Sequence, residues 1–136
     1  MGGNRIMHAL DYFNARLEAT ISPMDYLKST QMNPDKYFLI DVRNGPIHVR
    51  NLTIKDANII PQQELQDRLN EIPKEKEIIV YCWDVWCNTA AKVAKFLLED
   101  GYKVKELTGG IAAWKEMNFP VSDSSQGVNM SDSCGC

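Results

Sequence analysis

Short apolar runs and longer helix-like repeats alternate along most of the chain. Residues 37–40 and 78–81 are unbroken apolar runs, and they predict strands that are buried on both faces. Residues 102–107 predict a third strand, and residues 59–61 predict a short fourth one. Apolar residues at helical spacing predict helices in the segments that follow Ser22, Pro61, Asn88 and Gly110. This alternation predicts an α/β fold in which helices cover both faces of a parallel sheet.

Capping residues predict where two of these helices begin and end. Ser22 is expected to cap a helix whose first residue is Pro23, and that helix should end before Pro34, because a residue that precedes proline avoids the helical conformation. Asn88 is expected to cap the helix over residues 89–100, and Gly101 to take the left-handed conformation at its end. The apolar repeat predicts the inward face of this second helix, which is Ala90, Ala94, Leu97 and Leu98.

The two ends of the chain differ from this central part, residues 22–121, which is expected to be the folded domain. Residues 1–21 predict an N-terminal amphipathic helix laid on the domain, because apolar residues recur at helical spacing at Ile6, Leu10, Phe13 and Leu17. Residues 122–136 contain five serines and no Lys or Arg, and they predict a flexible tail. Residues 44–57 have no clean period and predict a loop with one helical turn.

Composition and charge limit the class of protein. A length of 136 residues suits a single domain. Fifteen Lys and Arg against eighteen Asp and Glu give a net charge of −3, which argues against nucleic-acid binding, because that function needs a basic face. No apolar stretch approaches the ~20 residues of a membrane helix, and the N-terminus has no apolar run typical of a signal peptide. We therefore expect a cytoplasmic protein with no membrane or nucleic-acid partner.

The four cysteines are the candidates for chemistry, because cytoplasmic thiols stay reduced and are more often reactive or metal-binding than structural. Cys82 follows the predicted strand 78–81. It therefore lies at the carboxyl ends of the parallel strands, where ligands bind in such sheets. Loop amides and the start of the next helix would stabilise a thiolate, a bound anion or a persulfide there. The alternative is an inert cysteine buried in the core.

Three sequence features occur in a fixed order along the chain: Ile-Asp-Val-Arg at residues 40–43, Tyr-Cys at residues 81–82 followed by a loop and an Ala-rich helix, and Gly-Gly-Ile-Ala-Ala-Trp at residues 109–114. Together they resemble the rhodanese-like domains, over about residues 22–121. The helix over residues 5–19, running into Ser-Pro-Met-Asp at 22–25, is similar to the lead-in of small single-domain bacterial members, including those called phage-shock-E-like.

The resemblance implies a five-stranded parallel sheet flanked by helices, with a persulfide-forming cysteine at the position of Cys82. The reaction in that family is sulfur transfer: a thiolate attacks a sulfane sulfur, for example that of thiosulfate, and a thiophilic acceptor then collects the sulfur. The backbone amides of the loop over residues 83–88 would cradle the persulfide. The reaction needs no cofactor and no metal. A zinc site made from all four thiolates would lack the paired C-x₂-C spacing.

The loop departs from the family pattern, which usually carries Gly or Arg. Its residues are Trp83, Asp84, Val85, Trp86, Cys87 and Asn88. Because the loop contains no cation and Asp84 repels anions, thiosulfate is a poor candidate for the natural donor. The two indoles suit a less charged sulfur source or a persulfide-bearing protein, or else they pack the loop down. Asn88 stands where related phosphatases and arsenate reductases have Arg, which disfavours both activities.

Several other residues are expected to support the site. Asp41 should accept hydrogen bonds from nearby loop amides, and Arg43 should form an ion pair. Gly109 and Gly110 should serve the backbone geometry of a tight turn. The family's Gly-His-Ile-Pro-Gly-Ala stretch is replaced here by residues 52–57.

Three further thiols lie outside the family pattern. Cys87 either resolves a persulfide or sulfenate on Cys82 into a disulfide, or packs between helix and sheet. Cys134 and Cys136 either end a disordered tail, relay sulfur or bind metal. The tail is expected to begin at the edge of the sheet opposite Cys82, which makes its own active loop hard to reach.

These observations predict a sulfurtransferase that carries sulfur on Cys82. It would take sulfur from a small donor or a persulfide-bearing protein and pass it to a thiol acceptor. The alternative is a low-turnover thiol redox sensor or sulfur-carrier module, in which Cys82 and Cys87 act with a protein partner.

Overall fold

Seven strands and five α-helices make up the part of the chain that the structure, a computed structural model, describes, which is residues 8–46 and 51–123. The strands are β1 (Thr20–Ile21), β2 (Tyr37–Asp41), β3 (Leu52–Ile54), β4 (Asn58–Ile59), β5 (Glu77–Tyr81), β6 (Lys103–Leu107) and β7 (Val121–Asp123). Five of them form a parallel sheet in the order β1-β6-β5-β2-β4, and β3 pairs with β7 in a separate antiparallel ribbon.

The helices cover both faces of this sheet. They are α1 (Ala9–Ala19), α2 (Pro23–Met32), α3 (Gln62–Leu65, continued by a 3₁₀ segment over Gln66–Glu71), α4 (Thr89–Glu99) and α5 (Gly110–Glu116). One apolar core lies between the sheet and α3 and α4, and it is centred on Ile78, Val80 and Leu97. The other lies between the sheet and α2 and α5, and it is centred on Ile79 and Trp114. The predicted α/β fold with a five-stranded parallel sheet is therefore confirmed.

The helix ends follow the predicted caps with one exception. Ser22 Oγ accepts a hydrogen bond from the backbone N–H of Asp25 at 3.1 Å, and Gly101 has a φ of +92°. Asn88 occupies the N-cap position of α4, but its side chain makes no capping hydrogen bond, so that part of the prediction is wrong. The predicted inward face of α4 is wrong at Leu98, which is 51% exposed, because the helix turns Val93 into the core instead.

Helix α1 does not lie on the domain through its apolar face, contrary to the prediction. Leu10, Phe13 and Leu17 are 69%, 50% and 73% exposed. The C-terminal end of α1 contacts β6, where Lys105 Nζ donates to the backbone oxygens of Leu17 and Glu18 at 3.3 and 2.6 Å. None of the helices in the described ranges combines the length and the hydropathy needed to cross a bilayer.

Strand β3 lies within the predicted loop over residues 44–57, which is therefore wrong for residues 52–54, and its ribbon with β7 carries the chain back toward the carboxyl ends of the parallel strands. Val121 lies opposite Ile54, and Asp123 lies opposite Leu52. Ser122 and Asp123, expected to begin the tail, therefore belong to a strand. The backbone oxygen of Leu52 accepts a hydrogen bond from Arg43 Nη2 at 2.6 Å, and Arg43 follows the carboxyl end of β2. The expectation that the tail begins opposite Cys82 is wrong. Cys134 and Cys136 lie outside the described residues.

Candidate active site

Cys82 and Cys87 are joined at the carboxyl end of β5. Cys82 follows Tyr81, the last residue of that strand, and is 3% exposed within the core under α4. Its Sγ is bonded to the Sγ of Cys87, with a Cα–Cα separation of 6.4 Å. Cys87 is only partly buried. The loop therefore brings the two thiols together, and the sulfur of Cys82 is directed toward the loop.

Asp84 organises the loop that links these cysteines. Its carboxylate Oδ1 accepts the backbone N–H of Trp86 at 2.9 Å, and its backbone oxygen accepts that of Cys87 at 3.3 Å. A short acidic side chain commonly closes a turn in this way. The resemblance implies that the backbone amides of residues 83–88 cradle a persulfide on Cys82. The prediction is wrong for the amides of Trp86 and Cys87, because Asp84 already accepts their hydrogen bonds.

The two indoles of the loop have different environments. Trp83 is partly buried, and the Arg43 guanidinium lies over its ring, with Cζ at 4.5 Å from the centroid. Trp86 is 84% exposed and its neighbour Val85 is 72% exposed. The alternative in which both indoles pack the loop down is therefore wrong for Trp86, because its side chain is exposed to solvent. Trp83 packs the loop onto the domain.

The first turn of α5 holds the backbone on either side of Cys82. The N–H groups of Ile111 and Ala112 donate to the backbone oxygens of Cys82 and Trp83, each at 3.0 Å. Gly110 has a φ of +60°, and a Cβ at this position would lie 2.5 Å from the backbone oxygen of Cys82. Only glycine fits there without a shift, because both the backbone conformation and the contact exclude a side chain. Gly110 thus fixes the loop as well as its own turn.

Gly109 meets a similar requirement one residue earlier. Its φ is +80°, and a Cβ would overlap the side chain of Ala113 in the next turn of α5. This pair of glycines therefore supports the contact between α5 and the loop.

A buried polar network lies beside the loop. Arg43 donates to the carboxylate of Asp41 from Nε at 3.0 Å and from Nη2 at 2.7 Å, and its backbone N–H donates to Oδ1 at 3.1 Å. Tyr81 donates from its hydroxyl to Asp41 Oδ2 at 3.0 Å and accepts the backbone N–H of Ile54 at 3.0 Å. Burial and the nearby Asp41 carboxylate raise the pKa of Tyr81 above its usual value. These contacts connect the ends of β2 and β5 to β3.

Tyr81 is the member of this network that the sequence analysis missed. Its phenol ends an otherwise aliphatic buried run, and a buried hydroxyl needs a hydrogen-bond partner. That requirement is the signal that would have indicated its role.

The electrostatics of the loop combine two opposing effects. Asp84 contributes a negative charge, and no Lys or Arg occurs in residues 83–88. Helix α4 begins directly after Cys87 and Asn88, so the positive end of its dipole favours a thiolate at this place. Within residues 8–46 and 51–123, no group of three His, Cys, Asp or Glu side chains is arranged to hold a metal ion.

Comparisons of sequence and of structure find known proteins that are similar to this chain. A sulfurtransferase of Allochromatium vinosum is 31% identical over 84 residues, which cover 61% of this chain and 76% of that protein. A thiosulfate sulfurtransferase GlpE of Coxiella burnetii is 34% identical over 74 residues, 54% of this chain and 66% of that protein. The crystal structure of a full-length protein from Lactobacillus plantarum matches with a TM-score of 0.79 at 30% identity, covering 84% of this chain and 95% of that one.

The family comparison covers most of the folded part. The model of the rhodanese-like domain matches residues 24–117, from the first turn of α2 to the end of α5. The chain therefore belongs to the rhodanese-like domain family.

Proposed function

We propose that this protein is a sulfurtransferase that carries sulfane sulfur as a persulfide on Cys82. Family membership and the two relatives named sulfurtransferases support a function of this type. The observation that carries the assignment to Cys82 is its position: it stands at the carboxyl end of β5, with its sulfur turned toward a loop that can bring another sulfur into bonding contact.

The proposed reaction has two displacements at sulfur. The Cys82 thiolate attacks the outer sulfur of a donor persulfide, the donor S–S bond breaks, and the donor leaves as a thiolate. The outer sulfur is then bound to Cys82 as a persulfide. A thiolate of the acceptor next attacks that outer sulfur, and the electron pair of the broken bond returns to Cys82 as thiolate.

The proposed donor is a thiol persulfide, small or protein-borne, rather than thiosulfate. Thiosulfate carries two negative charges, and it would enter a loop whose only charged side chain is Asp84. The carboxylate and backbone oxygen of Asp84 also occupy two amides that would otherwise bind an anion. Asp84 repels a persulfide less than it repels thiosulfate, because a persulfide carries at most one negative charge on sulfur.

The bond between Cys82 and Cys87 favours a second candidate function, that of a thiol redox sensor acting with a protein partner. In both functions Cys87 has the same chemical role. Its thiolate attacks the Sγ of a Cys82 persulfide, the bond to the outer sulfur breaks, and hydrosulfide leaves as the disulfide forms. The disulfide form has no thiolate at Cys82 and must be reduced before it accepts sulfur again.

Sulfur transfer from glutathione persulfide to a second thiol tests the proposal and separates it from the sensor. We expect the wild-type protein and Cys87→Ser to transfer sulfur through many turnovers, and Cys82→Ser to transfer none above the uncatalysed rate. Circular dichroism of Cys82→Ser should match the wild type. A protein that forms the Cys82–Cys87 disulfide but never turns over would instead be the sensor.

A further inference from the structure

A cavity of about 590 Å³ reaches the amino ends of β2 and β5. Tyr37 and Phe38, the first residues of β2, line it, and so does Lys76, which directly precedes β5. Helices α2 and α5 and strands β3 and β4 contribute to the rest of its wall, whereas residues 82–88 do not. The cavity is therefore separate from the loop of the candidate active site. Its volume is typical of sites for small molecules.

Three aromatic side chains form part of this wall. The centroid of the Tyr26 ring lies 5.3 Å from that of Tyr37 and 5.9 Å from that of Trp114. The hydroxyl of Tyr37 shares a hydrogen bond with Ser29 Oγ at 2.9 Å, and Trp114 Nε1 donates to the backbone oxygen of Pro120 at 2.7 Å. The polar atoms of these two side chains are therefore paired within the protein. Their rings offer a surface against which a flat ligand can pack.

The hydroxyl of Tyr26 differs from those two polar atoms. The side chain is only 7% exposed, and no residue in the ranges 8–46 and 51–123 forms a hydrogen bond with its hydroxyl. Burial and the nearby carboxylate of Asp56, which also lines the cavity, raise the pKa of this phenol above its usual value. The hydroxyl is therefore protonated at neutral pH. Because buried hydroxyls normally have a partner, this donor is suited to an oxygen atom of a ligand.

The charged residues of the wall favour an anion. Lys55 and Lys76 line the cavity, and neither forms an ion pair with a carboxylate in the described part of the chain. Asp56 is the acidic residue among the described residues of the wall. Two lysines and one carboxylate give a local charge of +1 in a protein whose net charge is −3. This local excess of positive charge attracts a ligand with one negative charge.

We propose that the cavity binds a small aromatic carboxylate. The ring of the ligand packs against Tyr26, Tyr37 and Trp114. Its carboxylate is attracted by Lys55 and Lys76, and one of its oxygens accepts a hydrogen bond from the Tyr26 hydroxyl. The cavity lies outside the loop that carries the two bonded cysteines, so this proposal does not depend on sulfur transfer.

Three naphthalene compounds that differ mainly in charge test the class of ligand. The anionic probe is 2-naphthoate, the neutral one is 2-naphthalenemethanol, and the cationic one is 2-naphthylmethylammonium. In NMR titrations of the intact chain, we expect 2-naphthoate to bind with a Kd of about 1 mM or lower. The other two compounds should bind at least about fivefold more weakly. No saturable binding of 2-naphthoate, or equal affinity for all three compounds, would overturn the proposal.

The backbone amide resonances show where 2-naphthoate binds. Leu27, Ile54 and Asn58 line the cavity, and we expect their signals to shift during the titration. The signals of Trp86 and Cys87, in the loop of the candidate active site, should shift less. Shifts confined to that loop would place the probe elsewhere and overturn the proposal.

Tyr26→Phe tests the unpaired hydroxyl. We expect 2-naphthoate to bind about 2- to 10-fold more weakly, because one hydrogen bond is lost. The urea midpoint of unfolding should not fall, since the hydroxyl has no hydrogen-bond partner among the described residues. Tyr102→Phe is the matched control, because the Tyr102 hydroxyl is outside the cavity and donates to the backbone oxygens of Leu69 and Ile72. It should lower the midpoint and leave the affinity unchanged. Equal affinities of the two variants would contradict the proposal.

Lys55→Gln/Lys76→Gln tests the charges. We expect the affinity for 2-naphthoate to fall about 2- to 30-fold, while that for 2-naphthalenemethanol changes less than about twofold. Lys92→Gln/Lys95→Gln changes the net charge equally through two exposed lysines of α4, which do not line the cavity, and it should change neither affinity. If the first double variant weakened both probes equally, or neither of them, the cavity would not select a carboxylate and the proposal would be overturned.

Discussion

Asp84 has two effects on the loop around Cys82. Its charge opposes anionic donors, and its oxygens hold the backbone of Trp86 and Cys87. The sequence analysis predicted the charge effect, because a carboxylate in a loop without cations is visible in the residues alone. It could not predict that the side chain and backbone oxygen of the same residue would accept hydrogen bonds from these two amides, because that depends on the turn which the loop adopts.

Asp84→Asn separates these two effects. The amide oxygen of Asn can still accept the Trp86 N–H, while the negative charge is lost. We expect the rate constant for sulfur uptake from thiosulfate to rise about 5- to 900-fold, which corresponds to about 0.5–2 kcal/mol of repulsion at ~8 Å for each of its two negative charges. Uptake from an uncharged persulfide should change less. Rapid-quench measurements with both donors check this, and an unchanged ratio between the donors would contradict the charge argument.

Asp41 and Arg43 form a buried pair, with exposed fractions of 0% and 2%. Asp41→Asn leaves the guanidinium buried without its carboxylate partner, and we expect the free energy of unfolding to fall by about 3–5 kcal/mol. Urea denaturation measures the change. Glu99→Gln is the control, because the Lys95–Glu99 pair is exposed and its loss should cost less than about 0.5 kcal/mol. Equal losses for the two variants would argue against a structural role for the buried pair.

At the scale of elements, the sequence predicts the strands and helices that are long or have capping residues at their ends, and it misses most of the strands of two or three residues. Strands β2 and β5 were predicted from unbroken apolar runs, and α2 and α4 from Ser22 and Gly101 at their ends. Strands β1, β3 and β7 have two or three residues each, too few for an apolar period to be visible. The apolar stripe of α1 was predicted, but a stripe does not indicate what covers it.

The contact between α5 and the loop gives a prediction at this scale. Gly110→Ala forces a Cβ toward the backbone of Cys82, where Gly110 has a φ of +60°. We expect the free energy of unfolding to fall by about 1–3 kcal/mol more than it does when alanine replaces another glycine with a positive φ. Sulfur uptake should also be slower, because the loop shifts.

Gly101→Ala is the matched control for that variant. Its φ is +92°, but its nearest neighbour beyond the local backbone is Lys74 Nζ at 3.4 Å, the end of a flexible side chain. Gly101→Ala should lower the free energy of unfolding by about 1–2 kcal/mol and leave sulfur uptake unchanged. Equal destabilisation and equal uptake in the two alanine variants would show that the contact of α5 with the loop is unimportant.

At the scale of the whole molecule, the fold assembles the site from distant parts of the chain. Cys82 was placed correctly at a strand end by its neighbours in sequence. The antiparallel pairing of β3 with β7 joins residues separated by about seventy positions, as in the hydrogen bond from Thr53 Oγ1 to the oxygen of Ser122 with a separation of 69. No local pattern predicts such a pairing, and so the sequence analysis placed the start of the predicted tail, residues 122 and 123, at the wrong end of the parallel strands.

The proposed sulfur transfer requires a persulfide on Cys82, and peptide mass spectrometry detects that persulfide directly. Cys87→Ser is the protein to use, because it cannot displace the persulfide by forming the Cys82–Cys87 disulfide. After treatment with glutathione persulfide and removal of excess donor, we predict one additional sulfur atom on the peptide that contains Cys82, lost on addition of a thiol acceptor. Additional sulfur confined to the peptide with Cys134 and Cys136, or none at all, would contradict the account.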